Sequence, residues 1–357
     1  MLSSKKIFHA NQIDNIYNEK AKNIYPYIVR KTTDNGLKGY IKEDEQYLND
    51  GGTLSFAQDT FTVYFQKEKF FTGNKVKILK PKFSSVKYGV MITLTALLQK
   101  RLEKLSWGDG STVESIKKTN FYLPTKDGEI DFEFMEDFVA ELEAQRVAEL
   151  EAYLTVTGLK DYELTEEEEV ALQNLENREW GEYRIGDLFE IKPTKAYKYT
   201  NKDLFQKQGM YPVVTNSSIN NGITGYTNLL PTEQGNMITY SDTTTSEGIF
   251  YQPRDFVGYS HIQGLYPILN KEKWNYYSLI YFVTHFKKCA EGKFDYGNKF
   301  NRKIASSMIV QLPTKNNQID FEYMETLISA IQKLVIEDIV LWADKKIDTT
   351  KQVINKN

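Results

Sequence analysis

The residue types that most often carry catalysis are sparse and scattered in this chain. The three histidines, His9, His261 and His285, form no pair at metal-ligand spacing. Cys289 is the single cysteine, which excludes an intramolecular disulfide and a thiolate zinc cluster. Asp295 and Lys303 are too loosely spaced to define a nuclease site. There is no G-x-x-x-x-G-K-[ST] loop, so a P-loop motor is not encoded. The Asn-Pro-Pro-aromatic or Asp-Pro-Pro-aromatic segment of amino-methyltransferases is also missing, as is a Gly-rich loop following an apolar strand. These absences argue against a self-contained DNA-modifying enzyme.

What remains is the chemistry of recognition. Net charge is -3, but it is unevenly placed: +9 over residues 1–126, -16 over 127–182, +6 over 183–319 and -2 over 320–357. Two basic blocks can neutralise phosphates, whereas the acidic stretch between them would be repelled. The chain is 41% hydrophobic, enough for one large or two medium cores. No run of 18 apolar residues and no apolar leader is present, which predicts a cytoplasmic protein.

The two basic blocks are copies of one plan. YPYIVRKTTDNGLKGY (Tyr25 to Tyr40) matches YPVVTNSSINNGITGY (Tyr211 to Tyr226) without a gap, at an offset of 186. The β-branched run suits a strand, and Asn-Gly marks a tight turn. LSFAQDTFTVYF (Leu54 to Phe65) matches ITYSDTTTSEGIF (Ile238 to Phe250), with Asp59 set against Asp242. FTGNKVKIL (Phe71 to Leu79) matches FVGYSHIQGL (Phe256 to Leu265), with Gly73 set against Gly258. LPTKDGEIDFEFM (Leu123 to Met135) matches LPTKNNQIDFEYM (Leu312 to Met324) at an offset of 189. The period is close to a whole domain, which excludes a solenoid of short units.

The elements that must position these blocks follow from the same pattern. Each block reads as α+β, with short strands and one internal helix, Tyr88 to Lys104 in the first and Asn275 to Ala290 in the second. A long helix follows each LPT segment. Asp131 or Asp127 starts the first, and Phe134, Phe138 and Leu142 recur at four-residue steps. The second starts near Asp320, with a broad stripe of Met324, Leu327, Ile328, Ile331, Leu334, Val335, Leu341 and Trp342. Paired antiparallel, the two helices would separate similar domains about a pseudo-two-fold axis. Gly158 ends the first helix, LTEEEEVAL (Leu164 to Leu172) predicts a short capped helix, and EWGEYRIGDLFEI (Glu179 to Ile191) opens the second block. The first block has no clear counterpart of that opening. The boundaries are 1–126 for the first domain, 127–179 for helix and connector, 180–319 for the second domain and 320–357 for the second helix and tail.

Taken in order, YPYIVR…NGLKGY, YPVVTN…NGITGY, SFAQDT, TYSDTT and EYRIGDLFEI give a chain that resembles the specificity (S) subunit of Type I restriction-modification systems. The LPTK…IDFEFM helix and the LTEEEEVAL…W-x-x-Y-x-I-x-D-L-F connector are most similar to the related B subunit of BcgI-like Type IIB systems. The resemblance covers nearly the whole chain. It implies two target-recognition domains, each reading half of a split double-stranded DNA sequence, held apart by paired helices. It implies no catalysis and no cofactor in this chain. A separate methyltransferase or methyltransferase-nuclease subunit, docked near the helices, would use S-adenosylmethionine and Mg for adenine methylation and cleavage.

On that reading the polar loops are the DNA-contacting residues. In the first domain they are Arg30, Lys31, Thr32, Thr33, Asn35, Lys38 and Gln58, with Lys117 and Lys118. In the second they are Asn216, Ser217, Ser218, Asn220, Asn221, Thr243, Thr244, Thr245 and His261, with a basic patch of Lys293, Lys299, Arg302 and Lys303. Amides and hydroxyls can read base edges, and cations meet phosphates. Asp59 and Asp242 are expected to organise loops, because a carboxylate is repelled by phosphate. The alternative is a scaffold that binds two protein partners through similar modules, which leaves the two basic blocks unexplained.

Overall fold

The computed structural model describes residues 5–83, 87–103, 117–243, 246–294 and 297–354. These fall into two compact units, Met1–Ala152 with Lys346–Asn357, and Tyr153–Lys345. Both are α+β.

In the first unit, β1 (Tyr25–Ile28) pairs antiparallel with β2 (Leu37–Ile41) and parallel with β5 (Phe71–Thr72). A second sheet has the order β4-β3-β6, from β3 (Thr53–Ala57), β4 (Thr62–Gln66) and β6 (Val76–Leu79). Helix α1 (Tyr88–Leu102) lies on that sheet. Its residues Val90, Met91, Leu94, Leu98 and Leu102 recur on one helical face and bury against Leu54, Phe56 and Val63. Lys104, the expected last residue of this helix, lies outside the described residues. A hairpin, β7 (Thr125–Lys126) and β8 (Glu129–Ile130), turns on Asp127 and Gly128, both at positive φ. Helix α2 (Phe132–Val156) follows, and the Phe134 N–H donates to Asp131 Oδ1 at 2.8 Å. Asp131 is therefore the cap that starts it.

The second unit opens with α3 (Glu166–Gln173), whose Thr165 and Glu168 form a reciprocal capping box. Next come β9 (Trp180–Arg184), the single turn α4 (Ile185–Leu188), β10 (Phe189–Pro193) and α5 (Asn201–Leu204). The hairpin β11 (Tyr211–Val214) and β12 (Ile223–Thr227) precedes β13 (Met237–Ser241), β14 (Ile249–Gln252) and β15 (Ile262–Pro267). Helix α6 (Tyr276–Ala290) is capped by Asn275. It is followed by α7 (Arg302–Ser307), β16 (Ile309–Lys315), β17 (Gln318–Ile319) and α8 (Phe321–Ile354). The main sheet has the order β10-β15-β13-β14, and a further sheet the order β17-β16-β9. Phe189, Ile238, Leu265, Trp274, Phe282 and Phe286 are at the centre of the core.

Strand register aligns the copies more closely than the text of the sequence does. The β1–β2 and β11–β12 hairpins have the same pairing and the same bulge, before Ile28 and before Val214. Ala57 pairs with Val76 in the first unit and Ser241 with Ile262 in the second. Gln58, not Asp59, therefore stands at the place of Asp242. Phe70 bonds Asn49 as Phe256 bonds Glu233, so Thr72, not Gly73, matches Gly258. The sequence match set identical residues opposite each other, one place away from the register that the strands fix. Among the described residues, the first unit has no counterpart of β9, α4 and β10. Among these residues its strand β6 pairs with β3 alone, whereas β15 lies between β10 and β13.

The apolar faces of the long helices differ from the expected stripes. On α2, Met135, Val139 and Val147 are buried, whereas Phe134 and Phe138 each keep 52% of their surface exposed. Two interactions set this rotation. Met135 joins the core under α1, and the Gly89 N–H donates to Glu136 Oε2 at 2.8 Å. On α8, Met324 and Leu327 are buried as expected, together with Ala330, Val340 and Ala343. Ile331, Leu334, Val335, Leu341 and Trp342 are exposed instead. The inward stripe runs through alanines, which a search for large apolar residues passes over.

Candidate nucleic-acid interface

The Asn-Gly turns are built alike in both units. Asp34, Asn35 and Gly36 have φ of +49°, +54° and +77°, and Asn220, Asn221 and Gly222 have +50°, +54° and +77°. Three consecutive left-handed residues are costly for L-amino acids other than Gly, Asn and Asp. The backbone closes each turn, with the Val29 N–H donating to Gly36 O at 2.9 Å and the Thr215 N–H to Gly222 O at 2.8 Å.

A buried glutamine clamps each turn onto the neighbouring sheet. Gln252 Nε2 donates to Asn221 O at 3.1 Å and to Thr239 Oγ1 at 2.9 Å, and its Oε1 accepts from Asn221 Nδ2 at 3.3 Å. Asn221 Nδ2 also donates to Tyr251 O at 2.8 Å. The first unit repeats the pattern. Gln66 Nε2 donates to Asn35 O and to Ser55 Oγ, both at 3.0 Å, and Asn35 Nδ2 donates to Phe65 O at 3.0 Å. Both glutamines are buried, so these bonds replace water and hold the turns in one shape. Sequence reading missed them. Their only trace is the aromatic-Gln pair, Phe65-Gln66 and Tyr251-Gln252, at the same offset of 186.

The remaining loop residues differ in their contacts and exposure. Arg30 is ion-paired to Asp59, which also accepts from Lys75 Nζ at 3.2 Å, and Lys31 is paired to Asp34. Thr32, Thr33 and Lys38 are exposed, as are Lys117 and Lys118, while Gln58 is half-buried and bonded through its backbone to Lys75 O at 3.1 Å. In the second unit, Ser217 Oγ accepts from the Ile219 N–H at 3.2 Å, and Asn220 Nδ2 donates to Ile223 O at 2.9 Å. Ser218 is exposed. The Thr243 hydroxyl lies 3.0 Å from Ser241 Oγ; Thr244 and Thr245, like Asp295, lie outside the described residues. Asp242 holds His261 Nδ1 at 3.0 Å and accepts from Gln263 Nε2 at 2.8 Å. His261 occupies the place of Lys75, and both have positive φ. Each aspartate thus ties a loop to the same neighbouring position. Lys293, Lys299, Arg302 and Lys303 are all exposed, and Arg302 and Lys303 open α7 beyond its cap, Asn301.

Among the described residues, no group of three or more His, Cys, Asp or Glu is placed to hold a metal ion, and no helix is long and apolar enough to cross a membrane.

Comparison with known proteins gives these features a family. The profile described as "Type I restriction modification DNA specificity domain" matches residues 4–152 and 177–339. The Type II restriction enzyme BgcI specificity subunit S.BcgI of Heyndrickxia coagulans is 24% identical over 333 residues, covering 91% of each chain. The crystal structure of a Type-I restriction-modification system S subunit from M. genitalium superposes with a TM-score of 0.54 at 14% identity, covering 99% of this chain and 97% of that one. That likeness is one of fold. An HsdS subunit from Thermoanaerobacter tengcongensis gives a TM-score of 0.31 at 12% identity, over 90% and 85% of the two chains.

Proposed function

The chain belongs to the Type I restriction-modification DNA specificity family, and we propose that it directs a separate adenine methyltransferase or methyltransferase-nuclease to a bipartite double-stranded DNA target. Each domain reads one half of the target through its clamped turn and the loops beside it. In this reading it acts as the B subunits of BcgI-like Type IIB systems do. The domains are 1–126 and 180–319, separated by helices within 127–179 and 320–357. Those helices pair antiparallel about a pseudo-two-fold axis, fix the unread gap and carry the docking face for the partner. S-adenosylmethionine and Mg act in the partner.

The observation that carries this reading is the repetition of the clamped polar turn. Three consecutive left-handed residues ending in Asn-Gly, and a buried glutamine bonded to them, occur in both units of a family-matched chain. The surrounding side chains differ, with Arg30 and Lys31 in one copy and Asn216 and Ser217 in the other. A fixed frame with different side chains is what two readers of different half-sites require. The test is co-expression with the neighbouring methyltransferase gene and genome-wide mapping of modified adenines. A two-part motif with a constant gap is expected. An uninterrupted motif, or no modification that depends on this chain, would contradict the proposal.

A further inference from the structure

We propose that the pocket beside Asn216 in the second unit is a base-reading pocket that receives the major-groove edge of an adenine. This rests on the reading of that unit as a DNA-recognition domain. The pocket is open, about 470 Å³, and lined by Asn201, Phe205, Thr215, Asn216, Thr224 and Tyr259, together with Ser217. The lining offers amides, hydroxyls and two aromatic rings, and no charged side chain. Such a wall suits a flat, neutral, hydrogen-bonding group better than a phosphate.

Asn216 is the group that selects within it. The loop from Thr215 to Gly222 carries three amides. Asn220 spends its Nδ2 on Ile223 O and Asn221 spends its Nδ2 on Tyr251 O and Gln252. Asn216 Oδ1 is shielded from solvent and has no hydrogen-bond partner. No bond to that oxygen opposes turning the amide over, so either its donor or its acceptor can face the pocket. Facing the pocket one way it donates to adenine N7, and the other way it accepts from the N6 amino group. The surrounding wall is already set. Tyr259 OH donates to Asn201 Oδ1 at 2.8 Å, Thr215 Oγ1 donates to Thr224 Oγ1 at 3.3 Å, and the glutamine clamp fixes the far end of the loop.

The first unit has different chemistry at the same register. Arg30, Lys31 and Lys38 stand where the second unit has Asn216, Ser217 and Thr224. Cations there fit guanine acceptors or phosphate, so adenine reading through this position belongs to the second unit alone.

The test is selection from a pool of random-sequence DNA duplexes by the full-length chain, as wild type, Asn216→Ala and Asn216→Asp, with sequencing of the bound fraction. Wild type should enrich a split motif with adenine favoured at a position of one half. Asn216→Ala should reduce that preference by roughly 2- to 10-fold, the range of one hydrogen bond, and leave the other half unchanged. Asn216→Asp keeps the side-chain shape and should move the preference toward cytosine, whose N4 amino group donates to a carboxylate. Variants that retain the wild-type preference at every position, or lose preference evenly across both halves, would overturn the pocket assignment alone. A wild-type chain that enriches no duplex sequence would overturn the recognition reading as well.

Discussion

Replacing Gln252 by leucine tests whether the turn is held by the clamp or only by its own backbone. The change keeps a similar volume in a position that is 1% exposed, so packing is largely preserved. It removes the bonds to Asn221 O, Thr239 Oγ1 and Asn221 Nδ2. At about 0.5–1.5 kcal/mol net per bond, the loss is roughly 2–3 kcal/mol after allowing for the apolar group gained. Urea denaturation followed by tryptophan fluorescence reads the second unit through the buried Trp274. For a slope of about 2 kcal/mol per molar urea, the midpoint of that transition should fall by about 1 M. The double variant Asn221→Ala/Gln252→Leu should cost less than the sum of the single changes, because the two side chains share bonds. A midpoint shift below about 0.3 M, or strict additivity, would refute the clamp.

Two other perturbations follow from the ion pairs and the charge pattern. Lys333 Nζ lies 3.0 Å from Glu168 Oε2 and 3.4 Å from Asp161, with little of either Lys333 or Glu168 exposed. Burial disfavours the charge on Glu168, but Ser329, the Thr165 backbone and Lys333 outweigh it and lower its pKa from 4.5. Burial also disfavours the charge on Lys333, and Glu168 and Asp161 outweigh it and raise its pKa from 10.5. The pair's contribution is therefore complete between those two ordinary values. It fades as pH falls through the depressed Glu168 value, or rises through the elevated Lys333 value. Glu168→Gln should cost roughly 2 kcal/mol at pH 7, less than a fully buried pair because Asp161 remains. Thermal melts across pH check this, and an unchanged profile would count against it. Separately, the triple change Lys293→Ala, Arg302→Ala and Lys303→Ala should weaken binding to every duplex alike. It should make the log-log salt slope shallower by about 0.9 for each phosphate that is no longer neutralised; an unchanged slope would remove the patch from the interface.

Much of the fold was legible because duplication repeats local signals. Asn275, Asp131, Asp320 and Thr165 are cap residues whose side chains bond the first-turn N–H groups where the sequence placed helix starts. The Asn-Gly turns were legible for the same reason, since only a few residue types tolerate positive φ. Helix facing was not. The outward side of α2 is set by Met135 and by the close approach of Gly89 to Glu136, which join segments far apart in sequence. Within the candidate site, the sequence separated polar loops from core but gave no sign of which amides were spent. Asn35 and Asn221 lie in the same loops as Asn216 and the exposed Thr32, yet their side chains hold the turn. That distinction depends on partners about 30 residues away, Gln66 and Gln252.

The most direct measurement is the dependence of binding on the gap between the two halves of the target. Duplexes carrying both half-sites, with the gap lengthened or shortened by one base pair, would be titrated against the full-length chain in complex with its methyltransferase. One base pair shifts one half by about 3.4 Å and turns it by roughly a tenth of the helix. Two readers held at a fixed separation predict a loss of at least about tenfold in affinity for either change, with each half-site sequence intact. Equal affinity for all three gaps would contradict the account.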